Sequence, residues 1–299
     1  MPAKCTMIET VTVIIPTTCE KRREAQLLRA IDSIQRQKGA SAQVMLVVNG
    51  DRFDPALYQQ LRNRSDIITE YLPIGSLPKA LEYGRSKIVT DYFGFLDDDD
   101  ELLETAVATR LQALNKDPSL DVAVTNGYNV RNDQREIRVK YCDNINANPM
   151  LALTRENWLA SCGGLFRTRT VTPDYFRDLM KYYEWTLLAF RITRDRKVTF
   201  INEPTYAVND TPNSLSKTAE FIYTDEKVVS EMLSHPLPEA IKKEFSKKLG
   251  RSLHAISCYE RSNGHYRSAW RYHLRSLMCA GGLVYLLYTR KLILPQLYP

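Results

Sequence analysis

The sequence is poor in several of the features that would place a protein quickly. It has four histidines, twelve glycines and six cysteines in 299 residues, and no long apolar run. Cys5, Cys19, Cys142, Cys162, Cys258 and Cys279 include no Cys-x-x-Cys pair, so no disulfide framework is expected and the thiols read as reduced, cytosolic ones. His254, His265 and His273 follow one another at intervals of 11 and 8, which suits no common metal site, and they read as helix-surface or core residues. The low glycine content, with 14 prolines and 44% hydrophobic residues, excludes a collagen-like, low-complexity or disordered chain. No charged-then-apolar leader opens the sequence. The longest apolar run, Leu277–Thr289, is interrupted by Gly281 and Gly282 and bounded by Arg275 and by Arg290 and Lys291. A membrane span needs about 20 residues, so this run does not cross; it has the character of an interfacial segment. No internal repeat is apparent.

Charge, in contrast, is present and unevenly placed. The whole chain carries +6, yet Glu239–Pro299 holds eleven Lys/Arg against three Asp/Glu, a net of +8 that leaves −2 for the first 238 residues. The body is slightly acidic and the tail basic, which points the tail toward an anionic surface. Nucleic acid is one such surface, but no recognisable nucleic-acid motif accompanies the basic residues. In the tail, Tyr266, Trp270 and Leu274 form one helical stripe, expected to pack, and Arg267, Arg271 and Arg275 form another. Two uses of the tail stay open: docking on anionic lipid, or completing a core.

The first 125 residues alternate strand and helix patterns. Strands are expected at Val11–Ile15, Gln43–Val48, Asp66–Tyr71, Asp91–Leu96 and Leu120–Thr125. Helices are expected at Arg22–Lys38, Pro55–Arg64, Leu77–Ile88 and Glu101–Asn115. Such alternation predicts an α/β fold, a mainly parallel sheet covered by helices, with ligands beyond the carboxyl ends of the strands. Further on, the pattern predicts a hairpin over Tyr128–Tyr141, a loop over Ala147–Asn157 and a short strand at Gly163–Arg167. Thr172-Pro173 signals a helix start, Glu184–Thr193 a helix and Lys197–Ile201 a strand; helices follow from Ala219.

The most informative stretch is Asp97-Asp98-Asp99-Asp100 at the end of a buried strand. Four adjacent carboxylates repel one another, and a hard divalent cation that also bridges phosphates would offset that repulsion. The plainer alternative makes Asp100 the N-cap of a helix beginning at Glu101, with the other three solvated.

Several motifs occur in a telling order: Val13–Thr17, Leu28–Gln37, Val47–Gly50, Lys79–Gly84, Phe95–Asp100, Gly163–Arg167, Glu184-Trp185 and Asn213–Ser216. In this order they resemble the family 2 glycosyltransferases of the GT-A fold, over Val11 to about Ser216. The resemblance implies a GT-A domain at residues 1–218 with a central mixed, mainly parallel sheet, followed by a basic helical extension at 219–299. It also implies inverting transfer of a sugar from a nucleoside-diphosphate sugar to a hydroxyl of a glycan or lipid-linked glycan. Donor-binding residues would be Pro16, Thr17, Thr18, Asn49, Asp51, Lys79, Asp97 and Asp98. Asp97 and Asp99 would hold Mn²⁺ or Mg²⁺, with Asp210 either a third ligand or the start of an Asp-Thr-Pro turn. Lys79 would neutralise a phosphate or be a solvated helix lysine. Glu184 would be the general base, and Gly163, Gly164 and Trp185 would lie on the acceptor side.

The sequence departs from the family pattern where Val48 replaces a frequent Asp and where Tyr183-Glu184 leaves a single carboxylate. Two other readings remain open: a nucleotidyltransferase, which would need a glycine-rich, arginine-containing loop after the first strand, and a non-catalytic glycan or lipid binder. The first is disfavoured by Pro16–Glu20, which contains no such loop. The expected location is cytoplasmic and peripheral, at the inner face of a membrane, in cell-surface polysaccharide synthesis.

Overall fold

The computed structural model describes residues 9–210 and 219–293. The Asn213–Ser216 motif lies outside those residues. The chain divides into two compact units, residues 1–179 with 184–212, and residues 180–183 with 213–299.

The larger unit is built on one sheet with strands in the order 67–72, 43–49, 11–17, 92–95, 164–167, 122–131, 198–209 and 101–102, with 134–137 paired to 122–131. Its first half is β1 (Val11–Thr17), α1 (Glu24–Gln35), β2 (Gln43–Asn49), α2 (Pro55–Arg62), β3 (Ile67–Leu72), α3 (Leu77–Lys87) and β4 (Tyr92–Phe95). These four strands are parallel neighbours, as strands joined by β-α-β crossovers are. Every residue of β1 is buried, and β2 is buried from Val44 onward, which explains their uninterrupted apolar runs. Helix α3 lies close against them at Gly84, where a Cβ would come within 2.8 Å of Ile14 Cγ2. Asp54 caps α2 through its side chain, accepting from Leu57 N at 2.8 Å, with Pro55 at the first helical position.

The second half departs from simple alternation. It comprises β5 (Glu101–Leu102), α4 (Ala106–Lys116), β6 (Val122–Arg131), β7 (Gln134–Ile137), α5 (Pro149–Ala152), β8 (Gly164–Arg167), α6 (Glu184–Thr193) and β9 (Val198–Asn209). Strand β8 runs antiparallel between β4 and β6, so the sheet is mixed. The expected helix at Glu101 is a correction: Glu101 and Leu102 pair antiparallel with Ala207 and Tyr206, and the helix starts at Ala106. The expected hairpin is present, turning at Asn132 and Asp133, both at positive φ. Strand β9 is far longer than its apolar start suggests, because its second part pairs with β6 past a register shift at Asn126.

Beneath this half lies a buried polar stitch. Arg110, 3% exposed, donates from Nε to Thr125 Oγ1 and from Nη2 to Thr205 Oγ1, both at 2.9 Å. Thr125 N in turn donates to Gly163 O at 3.0 Å. Burial without a carboxylate partner pulls the guanidinium down to about 10. The Tyr206 ring closes this region, and a Cβ on Gly127 would lie 2.3 Å from it. Gly127→Ala is therefore expected to cost about 2–4 kcal/mol in urea unfolding, and Tyr206→Leu in the same chain to recover part of that loss. Equal and additive losses would show that the ring and the glycine do not oppose each other.

The smaller unit contains α7 (Ala219–Ser234), α8 (Glu239–Ser262), α9 (Tyr266–Leu277), a 3₁₀ turn at Gly282–Tyr288 and α10 (Thr289–Ile293). Val228, Val229, Met232, Phe245, Leu253, Ile256, Ala269 and Leu292 are among its buried apolar residues. The stripe expected to pack is corrected: Tyr266 and Leu274 are exposed, and the buried positions of α9 are Ala269, His273 and Ser276. Arg275 also leaves the expected basic stripe, because its Nη2 pairs with Glu226 Oε1 at 2.6 Å. His254 and His273 are packing residues, the former stacked on Tyr285 at 4.3 Å.

Candidate active site at the strand ends

The parallel pairing of β1 with β2 and β4 brings three strand ends together. Thr17 lies opposite Val48, and Leu96 N still donates to Ile14 O at 3.0 Å, so the chain leaves β4 beside Thr17. Asn49 Nδ2 donates to Thr17 O at 3.0 Å, and Thr17 Oγ1 donates to Asp98 Oδ2 at 2.6 Å. Pro16, Thr17, Asn49 and Asp98 thus lie together at these strand ends, with Pro16, Thr17 and Asn49 buried. Thr18 follows, half-buried, while Asp51 is exposed.

The four aspartates have different surroundings. Asp98 is buried and paired with Arg23, whose Nη2 meets Asp98 Oδ1 and lies 3.2 Å from Asp99 Oδ2. Asp100 is 3% exposed; its Oδ1 accepts from Asn209 N at 3.0 Å and its Oδ2 from Cys162 Sγ at 3.8 Å. Its own N–H donates to Asp97 O at 3.1 Å, closing a turn. Asp100 is therefore a structural clasp between this turn and β9, and the N-cap alternative is set aside. The Asp99 carbonyl is held too, by Asn209 Nδ2 at 2.7 Å and Arg29 Nη2 at 3.3 Å.

Asp97 and Asp99 remain the carboxylates with charge to offer. Burial, reinforced by the charges of Asp99 and Asp98, pushes the Asp97 carboxyl up to about 6, against a hydrogen bond from Ser161. Burial also raises Asp99, with Arg23 opposing it. Arg138, half-buried at the end of the β6–β7 hairpin, adds a weaker positive field on Asp97 and Asp100. Among the described residues, no group of three or more His, Cys, Asp or Glu is arranged as a ready cation site. Yet the donor set fits a hard divalent ion: two oxygen-donor carboxylates stand close together, their repulsion only partly offset by Arg23 and Arg138, and such ions often take one or two carboxylates plus substrate phosphates.

Glu184 is the first residue of α6 and is 4% exposed. Trp185, next to it, meets the Phe95 ring edge-on at 5.3 Å, two residues before Asp97. Gly164 pairs with Val124, and Leu165 with Gly94, so the glycine pair sits between β6 and β4. Trp185 is thereby a packing partner of the strand that carries the aspartates. Two sequence candidates have other partners. Lys79 pairs with Glu82 at 2.9 Å and Asp178 at 3.6 Å, and Asp210, one residue past Asn209, pairs with Arg131 at 2.7 Å. Arg23 and Arg138 are the site cations that sequence reading missed. Arg23 sits in a polar helix start and Arg138 in a hairpin, and neither context signals a carboxylate partner far away in the chain.

Comparison with known proteins bears on this geometry. Residues 12–186 match the sequence profile described as glycosyl transferase family 2. No curated protein matches the sequence significantly. Among solved structures, the chain is similar to residues 1–349 of S. aureus TarS in complex with UDP, at TM-score 0.60 and 17% identity, covering 86% of this chain and 74% of that one. It is also similar to the same TarS fragment in complex with UDP-GlcNAc, at TM-score 0.61 and 15% identity over 89% and 81%. Against the longer TarS structure the TM-score is 0.56, and the match covers 86% of this chain but 45% of that one. These likenesses show a shared GT-A fold. Since the family profile covers more than half of the sequence, the chain belongs to glycosyl transferase family 2 and is a glycosyltransferase.

Proposed function

We propose that the protein transfers a sugar, with inversion, from a nucleoside-diphosphate sugar to a hydroxyl of a glycan or lipid-linked glycan. The observation that carries this reading is the Trp185–Phe95 contact, which joins the helix start that carries the buried Glu184 to the strand whose end carries Asp97 and Asp99, both raised by burial. TarS structures with UDP and UDP-GlcNAc support a uridine nucleotide as the first donor to try. Thr17, Asn49 and Asp98 would position the nucleoside, and Asp97 and Asp99 would hold Mg²⁺ or Mn²⁺; Asp210, paired with Arg131, is left out of that set. The bound cation would stabilise the charge that develops on the leaving diphosphate.

The remaining steps belong to the chain. Glu184 accepts the proton of the acceptor hydroxyl as that oxygen bonds to the anomeric carbon. The bond from that carbon to the diphosphate oxygen breaks, and its electron pair leaves with the nucleotide. Gly163 and Gly164 would belong to the acceptor-side segment, buried where a Cβ would crowd Tyr206 and Phe166. The basic helical unit would keep the enzyme at an anionic membrane, on its cytoplasmic side.

The test is nucleotide release from a panel of sugar nucleotides with and without chelator, followed by assignment of the product's anomeric configuration. At least one donor should turn over, chelation should reduce the rate at least about tenfold, and Mn²⁺ or Mg²⁺ should restore it. Turnover indifferent to chelator would overturn the metal assignment. A product with retained configuration would overturn the single-displacement chemistry.

A further inference from the structure

We infer that the 3₁₀ turn Gly282–Tyr288, together with the exposed face of α9, is a surface that beds into the headgroup region of an anionic lipid leaflet. This rests on the proposal that the enzyme works at a membrane, and it names the residues that would enter the lipid.

The argument begins with the period of the turn. A 3₁₀ helix has three residues per turn, so residues three apart lie above one another. Gly282, Tyr285 and Tyr288 form the column that faces the unit's own helices. Tyr285 stacks on His254 at 4.3 Å, and Tyr288 meets His254 at 4.7 Å and His273 at 5.4 Å. The other two columns then point away, and they are Leu283 with Leu286 and Val284 with Leu287. Leu283, Val284 and Leu287 are 72%, 73% and 70% exposed, and Leu286 is half-exposed. The amphipathic tyrosines are turned inward while the purely apolar side chains face out, the reverse of an arrangement that keeps a turn soluble.

Helix α9 continues the same pattern. Arg267, Arg271, Leu274 and Met278 follow at intervals of 4, 3 and 4, which is one helix face, and all four are exposed. Met278 is 87% exposed. Exposed Arg290 and Lys291 follow the turn on its other side. After Glu260 the sequence holds six Lys/Arg and no Asp or Glu. Of those six, Arg275 is taken by Glu226.

Apolar side chains bordered by exposed cations suit an anionic leaflet, which offers hydrocarbon depth and phosphate charge together. A second copy of this chain fits less well, because a symmetric pairing would bring Arg271, Arg290 and Lys291 against their own kind. No helix among the described residues is long and apolar enough to cross a membrane, so the contact is with one leaflet.

The experiment is co-sedimentation of the full chain with vesicles of phosphatidylcholine alone or mixed with phosphatidylglycerol. Binding should require the anionic lipid and weaken at high salt. The variant Leu283→Ser/Leu286→Ser/Leu287→Ser should lose at least about tenfold in vesicle affinity. Its release of nucleotide from a soluble donor should stay as in the unsubstituted protein, which separates failure of this inference from failure of the glycosyl-transfer reading. As a second measurement, the Leu287→Trp variant should show, relative to the unsubstituted protein, a blue-shifted emission on adding anionic vesicles. Unchanged vesicle binding in the triple variant, or no such shift in Leu287→Trp, would overturn the inference. So would a wild-type dimer that the triple variant dissociates, which would make a second copy the occupant of this face.

Discussion

Glu184→Gln is expected to lower kcat by about 10²–10⁴-fold while leaving donor binding within about twofold. Glutamine keeps the length and planar shape of the side chain but takes no proton at neutral pH. The choice matters because Glu184 is 4% exposed at the start of α6. Truncation to alanine would open a cavity beside Trp185 and confuse loss of a base with loss of packing. The readouts are nucleotide release under saturating donor and acceptor, and donor affinity by calorimetry. A large fall in kcat with unchanged affinity is the signature of a group needed in the transition state and not in the ground state. Retained turnover in Glu184→Gln would remove this residue from the chemistry and leave the acceptor proton without an assigned base.

The legible parts of the site are those where local pattern and chemistry coincide. Pro16-Thr17, Asn49 and Asp97 end apolar runs that are buried on both faces of the sheet, so both the strand and its ligand end show in the sequence. Glu184 is legible from its place in a motif order and from the helical period that follows it. What stays hidden depends on partners distant in the chain. Glu101 and Leu102 have the composition of a helix start, and only pairing with Tyr206 and Ala207 makes them a strand. Arg23 belongs to Asp98, 75 residues away, and Asp100 to Asn209, 109 residues away. Arg110 has no carboxylate partner among the described residues to mark it, yet it is buried between Thr125 and Thr205, the latter 95 residues away. In the tail, period alone puts Tyr266 and Leu274 on the packed side, while burial falls on Ala269, His273 and Ser276. A stripe of large residues says that a helix has a face; it does not say what covers it.

The same distinction between neighbours predicts opposite effects for adjacent aspartates. Asp97 is disfavoured as an anion in the folded protein, its carboxyl pushed from 3.8 to about 6 by burial and by the charges of Asp99 and Asp98. At pH 7 it is ionised in both folded and unfolded chains, so folding carries a cost of about 3 kcal/mol at most. That cost is full above pH 6 and fades as pH falls toward 3.8. Asp97→Asn removes the charge but also weakens the contact with Ser161, so the metal-free protein should gain about 1–3 kcal/mol at pH 7, and less at about pH 5. Its melting temperature should rise by a few degrees. Asp98 is the reverse case, since it accepts from Thr17 at 2.6 Å and neutralises Arg23. Asp98→Asn leaves the half-buried Arg23 guanidinium with Asp99 as its remaining carboxylate partner and should destabilise by about 1–3 kcal/mol. Both variants should lose at least about a hundredfold in turnover, for different reasons: Asp97→Asn by losing a cation ligand, Asp98→Asn by loosening Arg23 and Thr17 around the donor. Added Mn²⁺ should raise the melting temperature of the unsubstituted protein and of Asp98→Asn, and not that of Asp97→Asn. A more stable Asp97→Asn that still turns over donor would mean that the strain at this strand end serves something other than sugar transfer. A less stable one would mean that the aspartate run is neutralised within the folded chain and needs no cation.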